Sequence, residues 1–216
     1  MPNFFTDRTP PDIAATYDSL APQWLSRWSR FENRLVSENW RNTLVTELEG
    51  DVLEIGVAAG DTLLRMKQQP NRVRTYTGID ISAGMIEHAR MAASNLDIPV
   101  DLRQASAENM PMFADNQFDT VAASLVFCTI PDVPAALAEV RRVLKPTGRF
   151  VLVEHVLAPN PFVGWLQKRI APFQARQMGC HIDRETVDVL RSHGWHIEIE
   201  RKRILGVFRY IVASPN

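Results

Sequence analysis

The chain is poor in cysteine, with only Cys128 and Cys180 in 216 residues, and its formal net charge is −1. Two cysteines in a chain of this length make no disulfide framework and suit a reducing cytoplasm. Near-neutral charge supplies no overall field for nucleic acid. The clusters Arg141-Arg142 and Arg201-Lys202-Arg203 are short enough to be solvated faces. The opening "MPNFFTDRTPPDIAA" has no basic region followed by an apolar one and is not read as a signal peptide. Uncharged runs such as Thr120–Pro131 are too short to span a bilayer. No repeat or low-complexity tract interrupts the pattern.

The composition, 45% apolar and 23% charged, suits one globular domain with a full core. Residues 11–46 read as a helical cap carrying Tyr17, Trp24, Trp28 and Trp40. From residue 51 strand and helix patterns alternate. "DVLEI" reads as a buried strand, "TLLRMKQQ" as a helix stopped by Pro70, and "RVRTYTGIDI" as a second strand. Ser82 is placed to cap "AGMIEHARMAASN", and Asp132 to cap "VPAALAEVRRVL". "PVDLRQA", "FDTVAASLVF" and "RFVLVEHV" complete a set of five strands. Such alternation predicts a parallel sheet with helices on both faces. Residues 158–182 break it and read as an inserted lid. A last helix near 183–193 precedes "WHIEIER" and "GVFRYIVAS", two consecutive strands that form a hairpin and give the sheet an antiparallel edge. The whole is one domain: cap 11–46, core 51–157, lid 158–182, and a terminal helix and hairpin over 183–216.

The most informative stretch is "LEIGVAAGDT" at 53–62. A dinucleotide turn needs G-x-G-x-x-G, and counting from Gly56 the later glycine positions hold Ala58 and Asp61. Glu54, Gly56 and Gly60 remain, in an E-x-G-x-x-x-G arrangement. Asp80 follows at the end of the second strand, where a carboxylate can accept both hydroxyls of a ribose.

"VLEIGVAAG", "GIDIS", "ASAENMPMFADNQFDTV" and "EVRRVLKPTGRFVLVEHV" together resemble the successive motifs of class I S-adenosylmethionine-dependent methyltransferases. The resemblance spans roughly residues 15–214. It implies a Rossmann-like α/β fold: a seven-stranded, mostly parallel sheet with an antiparallel C-terminal edge strand. It also implies S-adenosyl-L-methionine as cofactor and S-adenosyl-L-homocysteine as product. By this resemblance Glu54 faces the amino acid end of the cofactor, Gly56 and Gly60 admit the backbone close to it, and Asp80 holds the ribose. Ile81 packs on adenine, Ser106, Ala107 and Glu108 border its edge, and Leu125 lies beside the methionine portion. Apart from the resemblance, Tyr17 is placed either to close over the cofactor or to pack against the first strand. Ala58 stands where the family usually has glycine, and Ser106 where it often has Asp or Asn.

"AATYDSLAPQW" resembles the opening of the ubiquinone and menaquinone C-methyltransferase branch. "SLVFCTIPD" and "GCHIDRET" are similar to the methyltransferase-like proteins that include alkyl-thiol methyltransferases. These likenesses imply transfer to a small, partly apolar acceptor, with a thiol or other sulfur first. An amine or phospholipid headgroup and a quinone-like ring carbon are the alternatives. Non-catalytic cofactor binding and transfer of the aminocarboxypropyl group stay open as rivals. His155, at the end of the fifth strand, is the expected general base, and His181 the next candidate. Trp165 and Phe173 are the expected substrate contacts within an apolar lid, which also suits a membrane surface. Cys128 reads as core. Cys180 and His181 adjoin without further partners at zinc-like spacing, so no metal is expected. No nucleic acid partner and no transmembrane segment are expected, and the oligomeric state stays open.

Overall fold

The computed structural model describes residues 12–28, 36, 38–68 and 72–216. Residue 11, much of the 29–37 stretch and the Gln69-Pro70 helix stop lie outside the described residues. Within them the cap is broken: α1 (Ile13–Leu20), a 3₁₀ turn (Ala21–Gln23), a π-helical turn (Trp24–Trp28) and α2 (Glu38–Glu47). The remaining order is β1 (Glu49–Ile55), α3 (Asp61–Met66), β2 (Arg72–Asp80), α4 (Ala83–Ala93), β3 (Val100–Gln104), β4 (Phe118–Ser124), α5 (Val133–Val143), β5 (Leu144–His155), α6 (Pro161–Met178), α7 (Thr186–Ser192), β6 (Trp195–Arg203) and β7 (Phe208–Pro215).

The strands form one seven-stranded sheet in the order β3-β2-β1-β4-β5-β7-β6. Strands β1 to β5 pair in parallel; β7 runs antiparallel between β5 and the outermost β6. The expected antiparallel edge is therefore this terminal hairpin. Alternate residues of each strand go to opposite faces, as the pleat requires. Leu53 and Ile55, Phe150 and Leu152, and Ile211 and Ala213 pack under α5 and α7. Val52, Val151 and Val153, and Tyr210 and Val212 pack under α2, α3 and α4. Both faces of the sheet are thus apolar and covered, which explains the near-continuous hydrophobic strands.

Helix starts follow the sequence signals. The Ser82 hydroxyl accepts the Met85 N–H at 3.0 Å, and the Asp132 carboxylate accepts the Ala135 N–H at 3.0 Å. Asn160 caps α6 by accepting from Phe162 and Val163. β5 begins earlier than its sequence pattern suggests, at Leu144, because a register shift opposite Phe118 and Thr120 absorbs Pro146 and Gly148.

The strand order reverses direction at β1, between β2 and β4. Open sheets of this type leave a crevice there, beyond the carboxyl ends of the strands. Gly60 shapes that end of β1 by packing. Its φ is +86°, and an added Cβ would lie 2.6 Å from the Ala92 Cβ of α4 and 3.3 Å from the Ala89 Cα. Gly60→Ala is expected to lose roughly 2–4 kcal/mol of stability, from left-handed backbone strain and overpacking together. Denaturant unfolding checks this. Unchanged stability would mean that α3 and α4 can separate at no cost.

Candidate functional site

A cleft opens at this switch point. Its walls come from the ends of β1, β2 and β4, the segments that follow β3 and β4, and the N-terminal cap. A smaller, more polar cavity adjoins it, sharing Trp24, Gly56, Ala58 and Ser124 and adding Arg41, Glu54, Asp61 and Thr62.

The turn after β1 is built from left-handed backbone: Gly56 has φ +67° and Ala58 φ +45°. The Gly56 and Val57 amides donate to the Ile79 carbonyl at 2.8 and 3.0 Å. The Ala58 N–H donates to the Asp80 carboxylate at 2.9 Å, and the Ser82 N–H to its other oxygen at 2.9 Å. Asp80 thus joins the turn after β1 to the turn after β2. Burial raises its pKa to about 6, against the amides that favour the ionised form. A carboxylate poised this way gains from a ligand hydroxyl that restores its solvation. Ala58, the residue that stands where the family has glycine, occupies a conformation that glycine adopts more readily.

Glu54 is fully buried on the second cavity. It accepts hydrogen bonds from the Thr62 hydroxyl at 2.7 Å and from the Tyr76 hydroxyl. Burial pushes its pKa to about 7. Nearby, Asp61 accepts from Arg41 at 3.1 Å and Arg65 at 2.7 Å. On the opposite rim Ser106 and Glu108 bond each other, and Glu108 also accepts the Asp132 N–H at the start of α5. The cap closes over this rim. Asp18 of α1 accepts from the Ser82 hydroxyl at 2.6 Å and the Gly84 N–H at 2.8 Å. These two bonds hold its pKa below the usual carboxylate value. They set Tyr17 and Trp24, ring centroids 5.7 Å apart, along the cleft.

Of the residues singled out in the sequence, the structure gathers Tyr17, Gly56, Ala58, Asp80, Ile81, Ser106, Ala107, Glu108 and Leu125 on the main cleft. Glu54 lines the adjoining cavity. Gly60 lines neither, since its open side is filled by α4.

His155 and His181 are not on the cleft wall. The His155 ring lies edge-on to Phe208, with Nε2 3.3 Å from the Cys180 sulfur. His181 is exposed, and its backbone N–H donates to the Cys128 carbonyl at 2.9 Å. β5 ends one strand beyond the cleft, so neither ring lines it. The Cys128 thiol donates to the Leu125 carbonyl at 3.6 Å, and Cys180, beside Cys128 and His155, has its pKa held below the usual thiol value.

Trp165 and Phe173 stand on the solvent face of α6, 54% and 64% exposed. No residue of 158–182 lines the cleft, so the cap and not the insertion covers it. Sequence reasoning missed Ile13 and Trp24 from the cap and Val126, Thr129 and Ile130 after β4. Strand-end position could have marked Ile55 and Ile79, which flank Gly56 and Asp80. No local signal marked the others.

The methyltransferase domain family model matches residues 53–152. The ubiquinone/menaquinone biosynthesis C-methyltransferase UbiE of Geotalea daltonii is 30% identical over 152 residues, 66% of this chain and 62% of that one. The chain thus spans about three fifths of that relative's length. A phosphatidylethanolamine N-methyltransferase of Cereibacter sphaeroides is 31% identical over 164 residues, 73% of this chain and 78% of that one. Among solved structures, the DhpI–SAH complex superposes with a TM-score of 0.70 at 19% identity, covering 94% of this chain and 95% of that one. At that identity the superposition speaks for the fold.

Buried Glu54 makes stability depend on pH. Its folded pKa of about 7 lies above the unfolded value of 4.5, so the native chain holds a proton that the unfolded chain releases between them. That contribution is complete below pH 4.5, falls as pH rises to about 7, and is flat above. A tenfold difference in proton affinity between the two states corresponds to about 1.4 kcal/mol. The melting temperature should therefore fall between about pH 4.5 and 7, and less steeply in Glu54→Gln, whose amide can still bond both hydroxyls. Parallel pH profiles for the two proteins, followed by calorimetry, would contradict the assignment.

Proposed function

The chain belongs to the class I S-adenosylmethionine-dependent methyltransferases, and from that premise we propose that it methylates an amphipathic, lipid-borne acceptor at a headgroup amine. S-adenosylmethionine is the cofactor; when bound, its sulfonium supplies an already activated methyl group.

The cleft fits this group. Asp80 would take the ribose hydroxyls. Ile81, Ala107 and the Ser106–Glu108 rim would border the adenine. Glu54 and Arg41, on the adjoining cavity, would meet the amino acid end, and Leu125 would flank the path between. Tyr17 and Trp24 present aromatic faces, which attract cations by roughly 0.5–2 kcal/mol each and suit both a sulfonium and a methylated ammonium. The protein's work is to hold the acceptor in line and exclude water, which is worth far more than acid–base help when the leaving group is already good.

The acceptor class rests on α6. Phe162, Trp165, Leu166, Ile170 and Phe173 are all exposed along it, with Lys168, Arg169 and Arg176 among them. The spacing of three and four residues puts the apolar side chains on one stripe. The helix ends at the cleft: an added Cβ on Gly179 would lie 2.9 Å from Ile13, which lines it. Apolar residues interleaved with cations suit the surface of an anionic bilayer. The similarity to a phosphatidylethanolamine N-methyltransferase supports the amine. Similarity to the quinone enzymes supports a second reading, a ring carbon of a membrane quinone. The thiol acceptor expected from the sequence finds no counterpart in either relative's activity and is set aside.

Two outcomes test this reading. Asp80→Asn should weaken S-adenosylhomocysteine binding by about 1.5–3 kcal/mol, the worth of hydrogen bonds to a charged group. Calorimetry giving wild-type affinity in the folded variant would remove Asp80 from the site. Trp165→Ser with Phe173→Ser should reduce binding to vesicles containing phosphatidylethanolamine and anionic lipid and raise the apparent KM for that lipid several-fold, with cofactor affinity unchanged. Release of S-adenosylhomocysteine with a demethylated quinol but not with vesicle lipid would select the ring carbon.

A further inference from the structure

Cys128, His155 and Cys180 come from three separate parts of the chain: the turn after β4, the end of β5, and the segment after α6. The two sulfurs and one imidazole nitrogen all lie within 4.8 Å of one another, and the His155 Nε2 to Cys180 Sγ distance is 3.3 Å. These are both of the chain's cysteines, and both are free.

Backbone hydrogen bonds fix each member. The Thr129 N–H donates to the Val126 carbonyl at 2.9 Å, closing the turn that carries Cys128. The His181 N–H donates to the Cys128 carbonyl at 2.9 Å, fastening the Cys180 segment to that turn. Buried Glu154 accepts the Phe127 N–H at 2.8 Å and the His155 N–H at 3.0 Å, so one carboxylate sets the neighbours of two members. Arg184 donates to the Phe127 carbonyl at 2.7 Å and to that of Ile130, locking the same turn from the other side.

We propose that Cys128, His155 and Cys180 form a zinc site with one coordination position left for an exogenous ligand. The donor set decides the metal: two thiolates and one imidazole match a borderline-soft, tetrahedral ion and not a hard cation that seeks carboxylates. Zinc takes sulfur at about 2.3 Å and nitrogen at about 2.0–2.1 Å, so tetrahedral ligands sit about 3.8 Å apart for a sulfur pair and about 3.5 Å for sulfur and nitrogen. The observed spacing is compatible with closure around an ion by small side-chain rotations. Binding would release to solvent whatever proton each thiol still holds as its zinc–sulfur bond forms. Three protein ligands with an open fourth position is the pattern of zinc centres that take up a further ligand, whereas purely structural sites are closed by four.

The site would abut the methyl-transfer cleft without lining it, because Leu125, Val126, Thr129 and Ile130, on either side of Cys128, are cleft residues. The ion would then tie the segment after α6 to the cleft wall. This proposal reverses the sequence expectation of no metal. Ligands 27 and 25 residues apart give none of the short Cys/His spacings by which zinc sites are read from sequence.

The test uses the tag-free full chain, reduced and stripped with chelator, and titrated with Co²⁺ as a spectroscopic stand-in. One equivalent per chain should produce thiolate-to-cobalt charge-transfer absorption with tetrahedral ligand-field bands, and Zn²⁺ should abolish both. Zinc affinity, measured against a chromophoric chelator, should fall at least about 100-fold in Cys180→Ser and in His155→Ala, since even partners outside the coordination shell cost 10–100-fold. Cys180 is only half-buried, and S-adenosylhomocysteine binding reports whether each variant is folded. Wild-type protein that shows no charge-transfer band, or a folded Cys180→Ser that binds zinc as tightly as wild type, would overturn the site. So would a pair of thiols that forms a disulfide in air and, once reduced, takes up no metal. None of these readouts depends on methyl transfer, so the outcome stands apart from that of the proposed acceptor.

Discussion

The Asp80 carboxylate is the tie on which the cleft depends. One oxygen takes the Ala58 amide and the other the Ser82 amide, so a single side chain sets the spacing between the turns after β1 and β2. Ser82 passes the constraint on: it caps α4 and donates to Asp18, which draws α1 across the opening. Turn, helix start and cover are therefore one connected hydrogen-bonded unit. Its cost is a carboxylate partly removed from water, visible in a pKa raised to about 6. A ligand that offers hydroxyl donors at this point relieves that cost, which couples binding to the order of the cap.

Glu154 does for the β4–β5 side what Asp80 does for the β1–β2 side. It is fully buried, its pKa is pushed to about 7 by that burial, and it accepts the Phe127 and His155 amides. The turn after β4 is thereby held by Glu154 through the Phe127 amide and by Arg184 through the Phe127 and Ile130 carbonyls. This turn faces the cleft with Leu125, Val126, Thr129 and Ile130 and faces away with Cys128. A change on the cysteine side has a short mechanical path to the cleft wall.

α6 is the part of the fold whose surface the domain itself does not explain. Gln167 ties it down, donating to the Val156 and Ile182 carbonyls and accepting the Ala158 N–H. Gly164 and Ala171 pack inward, yet five large apolar side chains face solvent. A helix anchored by a buried amide and displaying aromatics outward is arranged to meet something apolar, and its C-terminal end leads to Ile13 and the cleft.

Local sequence signals were enough to define the sheet, and the family resemblance named most of the side chains that line the cleft. Alternation of strand and helix, caps at Ser82 and Asp132, and a terminal hairpin are all short-range features, and local physics places the Gly56 turn and Asp80 at strand ends. Glu54 and the Ser106–Glu108 rim came with the same motifs. Long-range packing settled what covers the cleft, because whether α1 or the insertion lies over it depends on Asp18 meeting Ser82, 64 residues away. It moved Gly60 from a ligand contact to a helix-packing position and turned Trp165 and Phe173 outward. It also took the two histidines off the cleft and brought His155 to both cysteines. Contacts between residues distant in the chain carry no periodicity or spacing to read. They exist only once the backbone is closed by its long-range hydrogen bonds.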